Sequence, residues 1–159
     1  MKLAAHSRLW IFQSDRKLNE ADQAFIHQEL KQFIQGWASH GNELYGEHQI
    51  LYDYFLLVGA DESKSPTSGC SIDALTRKIK AIGESRSIDF FNRLNTVYED
   101  PSTQMHLVGM DELKLLLSNQ KISENTIVYN NLINKVGDLE NQWRVPLKQS
   151  WHKNLIATL

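Results

Sequence analysis

Residues 67–73, Thr-Ser-Gly-Cys-Ser-Ile-Asp, set the chain's single cysteine beside a glycine, the hydroxyls of Ser68 and Ser71 and a carboxylate at the expected start of a helix. A helix start carries unpaired N–H groups and the positive end of a dipole. Both favour a thiolate or a bound anion, and a glycine there lets a ligand approach the backbone. Cys70 is therefore a candidate nucleophile or redox thiol, although Asp73 opposes its ionisation. Asp15 and Asp61 each close an apolar run, and together with Cys70 they form the candidate catalytic set. Carboxylates of this kind could hold Mg2+ or Mn2+ while Arg16 steadies a phosphate, the requirements of phosphoryl hydrolysis. A less demanding use of Arg16, Ser68, Gly69, Ser71 and Asp73 is to bind a small anionic ligand without chemistry. Each residue also has a purely structural use. Ser71 and Asp73 suit a cap and first turn, Gly69 suits a tight turn, strand-end acids commonly serve turns, and a lone cysteine is commonly a small buried hydrophobe.

The elements that must position these groups follow from the hydrophobic pattern. Residues 8–14 read as a strand around Trp10, Ile11 and Phe12. Asn19 is a plausible cap for a helix whose apolar stripe is Phe25, Ile26, Leu30, Phe33, Ile34 and Trp37 and whose end is near Gly41. Residues 43–61 are strand-like, and the run from Tyr54 to Val58 is apolar on both faces, as a central strand requires. A second helix carries Ile72, Leu75, Ile79 and Ile82 before Gly83, with Ser71 as its expected cap. Strands are expected over 92–99, 104–108 and 126–129, a short helix over 111–118, and a pair of short helices around Val145 and Pro146.

The order strand, helix, two strands, helix, strand is that of a ferredoxin-like (βαββαβ) unit, provided 43–61 breaks into a hairpin at Tyr52-Asp53. The expectation is one α+β domain over 1–159, with an α/β sandwich part at 1–100 and a short α/β C-terminal extension at 101–159. In that topology the first strand and the Tyr54–Val58 strand are expected to run parallel, side by side. Their carboxyl ends would then bring Asp15, Arg16, Asp61, Ser68, Gly69, Cys70, Ser71 and Asp73 to one edge. Trp37 and His40, at the far end of the first helix, are expected to lie away from it, which disfavours a Cys70–His40 dyad.

The chain has 159 residues, 17 Lys and Arg against 19 Asp and Glu, and 42% hydrophobic residues, enough for a core but without bulk positive charge for nucleic acid or anionic lipid. One cysteine makes no internal disulfide, and no Cys-x-x-Cys pair points to zinc. The first eight residues meet charge before a signal-peptide core can form, and no apolar run is long enough to span a bilayer, so a cytoplasmic location is expected. No phosphate-cradling Gly-Lys-Ser/Thr loop, Gly-x-Gly-x-x-Gly, Gly-x-Ser-x-Gly or His-Glu-x-x-His is present.

The segments 8–18, 37–41 and 68–73, with Trp143-Arg-Val-Pro146 and Ser150-Trp151, resemble a family of small uncharacterised bacterial proteins. Members often carry an automatic label as ABC transporter ATPases. Without a phosphate loop this sequence does not support that label, and the resemblance implies a kind of protein rather than an activity. Residues 110–129 are similar to the helix-then-strand portion of GYF-like peptide-binding domains. That similarity implies a protein partner, a proline-rich segment met by an aromatic C-terminal surface of Trp143 and Trp151.

Overall fold

Asn19 begins the first helix with a reciprocal cap: its side chain accepts from the Asp22 backbone N–H, and the Asp22 carboxylate accepts from the Asn19 N–H. The computed structural model describes residues 1–39 and 41–156. They divide into two compact units, Met1–Asn92 with Asn134–Gly137, and Arg93–Ile133 with Asp138–Leu159. Among the described residues no helix is long and apolar enough to cross a membrane.

The first unit runs β1 (Arg8–Gln13), α1 (Glu20–Gln35), a two-residue ribbon β2 (Ala38–Ser39) and β3 (Asn42–Glu43), β4 (Tyr45–Leu51), β5 (Phe55–Asp61) and α2 (Gly69–Arg86). Its main sheet has the order β1-β5-β4, and both pairings are antiparallel. The hairpin between β4 and β5 turns through Tyr52, Asp53 and Tyr54, with Tyr52 and Asp53 in the left-handed region at φ 54° and 59° and Tyr54 N–H donating to Leu51 O at 3.2 Å. β5 is buried from Phe55 to Ala60, which explains its unbroken apolar run. Leu56, Val58 and Ala60 pack with Ile26 and Leu30 of α1 and with Leu75, Ile79 and Ile82 of α2 in one core.

The expected parallel pairing of β1 with the Tyr54–Val58 strand is therefore corrected. α1 returns the chain to lay β4 parallel to β1, the tight hairpin then reverses it, and β5 fills the gap between them in the opposite direction. The βαββαβ order is also not completed. The strand expected as its last member joins the other unit, and the free edge of β1 is met by a strap from 134–136. There Leu9 N–H donates to Asn134 O at 2.9 Å, Val136 N–H donates to Ser7 O at 3.0 Å, and Arg8 bridges Lys135 antiparallel. What the structure shows is a mixed α+β protein with antiparallel sheets.

Two helix details also differ from expectation. Ser68, not Ser71, caps α2, because the Ser71 hydroxyl turns back to the Ser68 carbonyl at 2.8 Å. Gly83 does not end the helix. It is a buried contact where an added Cβ would lie 2.4 Å from the Ile88 carbonyl oxygen, and the helix stops three residues later with Ser87 left-handed.

The second unit builds a four-stranded antiparallel sheet in the order β7-β6-β8-β9 from β6 (Asn95–Glu99), β7 (Met105–Gly109), β8 (Ile127–Tyr129) and β9 (Arg144–Pro146). α3 (Met110–Ser118) follows β7 directly and packs Leu113 with Val108 and Ile122, joined by Leu155 of the short α4 (Lys153–Ile156). Val145 and Pro146, expected between short helices, lie in β9, since Val145 pairs with Val128 and completes the sheet. Across that sheet Glu99 accepts from Arg144 through both carboxylate oxygens, at 2.8 and 2.5 Å, and from the Tyr129 hydroxyl at 2.5 Å.

Candidate functional site

The antiparallel register separates the expected catalytic acids. Gln13 at the end of β1 lies opposite Phe55 at the start of β5, and Arg8 lies opposite Ala60 at the other end. Asp15 and Asp61 are thus on opposite edges of the sheet, about 20 Å apart at the rise of a strand. The single edge expected from the sequence becomes two, and the three-residue set Cys70, Asp15 and Asp61 is not assembled as expected.

The Asp61 edge receives the end of α1 and the start of α2, because α1 runs against β1 and so ends where β5 ends. Trp37, expected to be remote from Cys70, is placed here by that geometry. Its buried indole N–H donates to the Ser71 carbonyl at 2.9 Å, one residue beyond the thiol. Ser39 joins in, donating to Pro66 O at 2.8 Å and accepting from Ser68 N–H at 3.1 Å. His40 lies outside the described residues. Glu62 closes the loop, accepting from the Thr67 N–H at 2.9 Å and hydroxyl at 2.5 Å.

The loop leading into α2 is thus braced from both sides, while Gly69 and Cys70 are exposed and a Cβ on Gly69 would meet nothing within 4 Å. Asp73 is exposed as well, and Ser71 is buried in capping bonds. Asp61 accepts from Ser63 N–H at 2.8 Å, and that bond first of all holds its carboxyl below the usual range, so it is ionised at neutral pH. Beside it opens a cleft of about 520 Å3 lined by Trp37, Glu43, Tyr45, Asp61, Lys64 and Ser65 among others.

The opposite edge is a structural ion-pair cluster. Arg16, expected to steady a phosphate, spans the buried Asp22 with contacts of 2.6 and 3.2 Å and donates to Arg86 O at 3.0 Å. Arg86 reaches the same carboxylate through Nε at 3.0 Å. Arg16 first, then the Asn19 N–H and Arg86, outweigh burial and lower the Asp22 carboxyl to about 2. Asp15 accepts from Asp89 N–H at 3.0 Å. Asp22 was not among the residues singled out from the sequence, although its spacing three residues after Asn19 is a capping-box signal.

No group of three or more His, Cys, Asp or Glu that could hold a metal ion occurs among the described residues. His27 and His48 bring Nδ1 and Nε2 to 2.9 Å with ring centroids 5.1 Å apart. The nitrogens therefore lie between the rings on nearly one line, which is an N–H···N bond rather than two lone pairs turned to one ion. In the second unit Trp143 is buried, its N–H on Asn131 Oδ1 at 3.0 Å and its ring edge against Tyr129. This removes it from the expected aromatic surface and leaves the half-buried Trp151, stacked on His152 at 4.0 Å. The chain has no significant match to a protein-family model, a curated protein or a solved structure.

Proposed function

We propose that the protein binds a small polar ligand bearing an anionic group, in the cleft at the Asp61 edge. The observation that carries this reading is the cleft itself, where opposite chemistries face one space. Lys64 and the hydroxyl of Ser65 suit an anionic oxygen. Asp61 and Glu43 accept from ligand hydroxyls, and the exposed Tyr45 ring covers an apolar face. Phosphorylated or carboxylated polyols have this pattern of groups. The loop's bonds to Ser39 and Trp37 keep these donors in place before binding.

Ribose 5-phosphate, ribose and inorganic phosphate are suitable probes, followed through the Trp37 indole N–H signal. The phosphorylated sugar is expected to bind tighter than either fragment, and Lys64→Ala to weaken it about tenfold, close to 1.4 kcal/mol. Unchanged affinity in Lys64→Ala, or a Trp37 signal that none of the probes moves, removes the reading.

A second reading, a peptide-binding second unit, is favoured by the helix-then-strand segment formed by α3 and β8 and by the exposed Leu115 and Leu132. A proline-rich peptide is then expected to shift the Trp151 indole N–H, with Trp151→Ala weakening it about tenfold. A peptide that leaves every amide between 93 and 156 unmoved ends this reading.

A further inference from the structure

The first unit has a second concavity, at the edge opposite the proposed cleft and independent of it. α2 presents Thr76, Ile79, Lys80, Gly83 and Glu84 along one stripe, and the chain folds back at its C-cap Ser87 so that 88–91 forms the facing wall. The close approach of Ile88 O to Gly83 shapes the floor, and the groove between the walls has a volume of about 660 Å3. That is within the range of pockets that take small organic molecules. Its surface is mostly apolar, led by the exposed ring of Phe91, which is held edge-on by Phe12 at 5.9 Å, while Ile79 and Ile88 lie buried just beneath it.

The rim is charged, and unevenly so. Asp15, Glu84 and Asp89 stand around the groove against Lys80 alone. Asp15 and Asp89 each spend one oxygen on a backbone N–H, of Asp89 and Phe91 respectively, which fixes them in the wall with the other oxygen unbonded among the described residues. Glu84 has no ion-pair partner among the described residues. The groove also lies at the C-terminal half of α2, where the helix dipole is negative. An exposed aromatic face, a mostly apolar groove surface, surplus carboxylates and a negative helix end are the combination that recognises an organic ammonium.

We propose that this groove binds a small organic cation: an aryl- or alkylammonium whose apolar body lies along the groove above the buried Ile79 and Ile88 and whose charge faces Phe91, Glu84 and Asp89. The test is a titration of isoleucine-methyl-labelled full-length protein with 2-phenylethylamine, a cation at neutral pH. 2-Phenylethanol and phenylacetate serve as neutral and anionic counterparts of the same shape. The amine is expected to move the Ile79 and Ile88 methyl signals saturably and to bind at least about fivefold tighter than the alcohol, with the carboxylate weakest. Glu84→Gln is expected to reduce the preference for amine over alcohol to about twofold while leaving the alcohol's own affinity unchanged. Equal binding of amine and alcohol, stronger binding of the carboxylate, or methyl signals unmoved by roughly 10 mM amine, a concentration that would reveal even very weak affinity, overturns the proposal.

Discussion

Acidifying the protein from pH 7 toward pH 4 is expected to cost about 3 kcal/mol of stability through His152 alone, with roughly 2 kcal/mol already lost at pH 5. His152 is buried in the second unit. Its Nδ1 contacts the Ser150 hydroxyl at 2.8 Å and its Nε2 the Thr96 hydroxyl at 3.0 Å. Because Ser150 Oγ donates onward to Leu147 O, the imidazole donates from Nδ1 and accepts from Thr96 at Nε2, which is a fully bonded neutral ring. Burial lowers its pKa to about 4 from the ordinary 6.5.

Between those values the unfolded chain binds the proton and the folded one does not, so stability is complete above pH 6.5 and falls as the pH drops through the window. His48, lowered by burial and then by the neighbouring His27, acts in the same direction. Urea unfolding at a series of pH values separates the two: His152→Asn should flatten most of the slope between pH 6.5 and 5, and His48→Gln only a smaller part. A wild-type curve flat over that interval, or a slope that survives His152→Asn, contradicts the assignment.

Asp22→Ala is expected to destabilise the protein by about 3 kcal/mol, near the low end for opening a buried ion pair. The carboxylate is fully enclosed, while the Arg16 and Arg86 side chains keep 39% and 32% of their surface in water, so the guanidiniums left behind are only partly stranded. The same change removes half of the α1 cap. Asp22→Asn, which keeps an oxygen for the Asn19 N–H but not the charge, should fall between the two, and denaturant midpoints at constant slope report the order. A loss under about 1 kcal/mol in Asp22→Ala would mean that the cluster holds nothing together.

How far the sequence could be read depended on whether a signal was local. The Asn19 cap, the stripe through Ile26 and Leu30, the doubly buried β5 and the turn at Tyr52-Asp53 are written in short-range periodicity and turn chemistry, and each stands close to its expected position. The direction of β1 against β5 is not local. It is decided by where α1 returns the chain, and the opposite assumption moved Asp15 to the wrong edge and Trp37 away from the right one. The same holds for the strap at 134–136, whose backbone contacts with β1 leave no mark in side-chain pattern. Arg16 misled for a different reason: a cation next to a strand end looks available until its partner, Asp22, is placed in space.

The strap carries a consequence for the order of manufacture. A chain emerging from the ribosome through Asn92 has made every helix of the first unit and all of its main sheet, yet Leu9 N–H, Ser7 O and Ala5 O wait for partners encoded beyond residue 133. The nascent first unit therefore keeps an open rim until the intervening segment has been translated. A gene fragment ending at residue 92 is expected to self-associate through that bare margin, which sedimentation of the fragment beside the full chain would report.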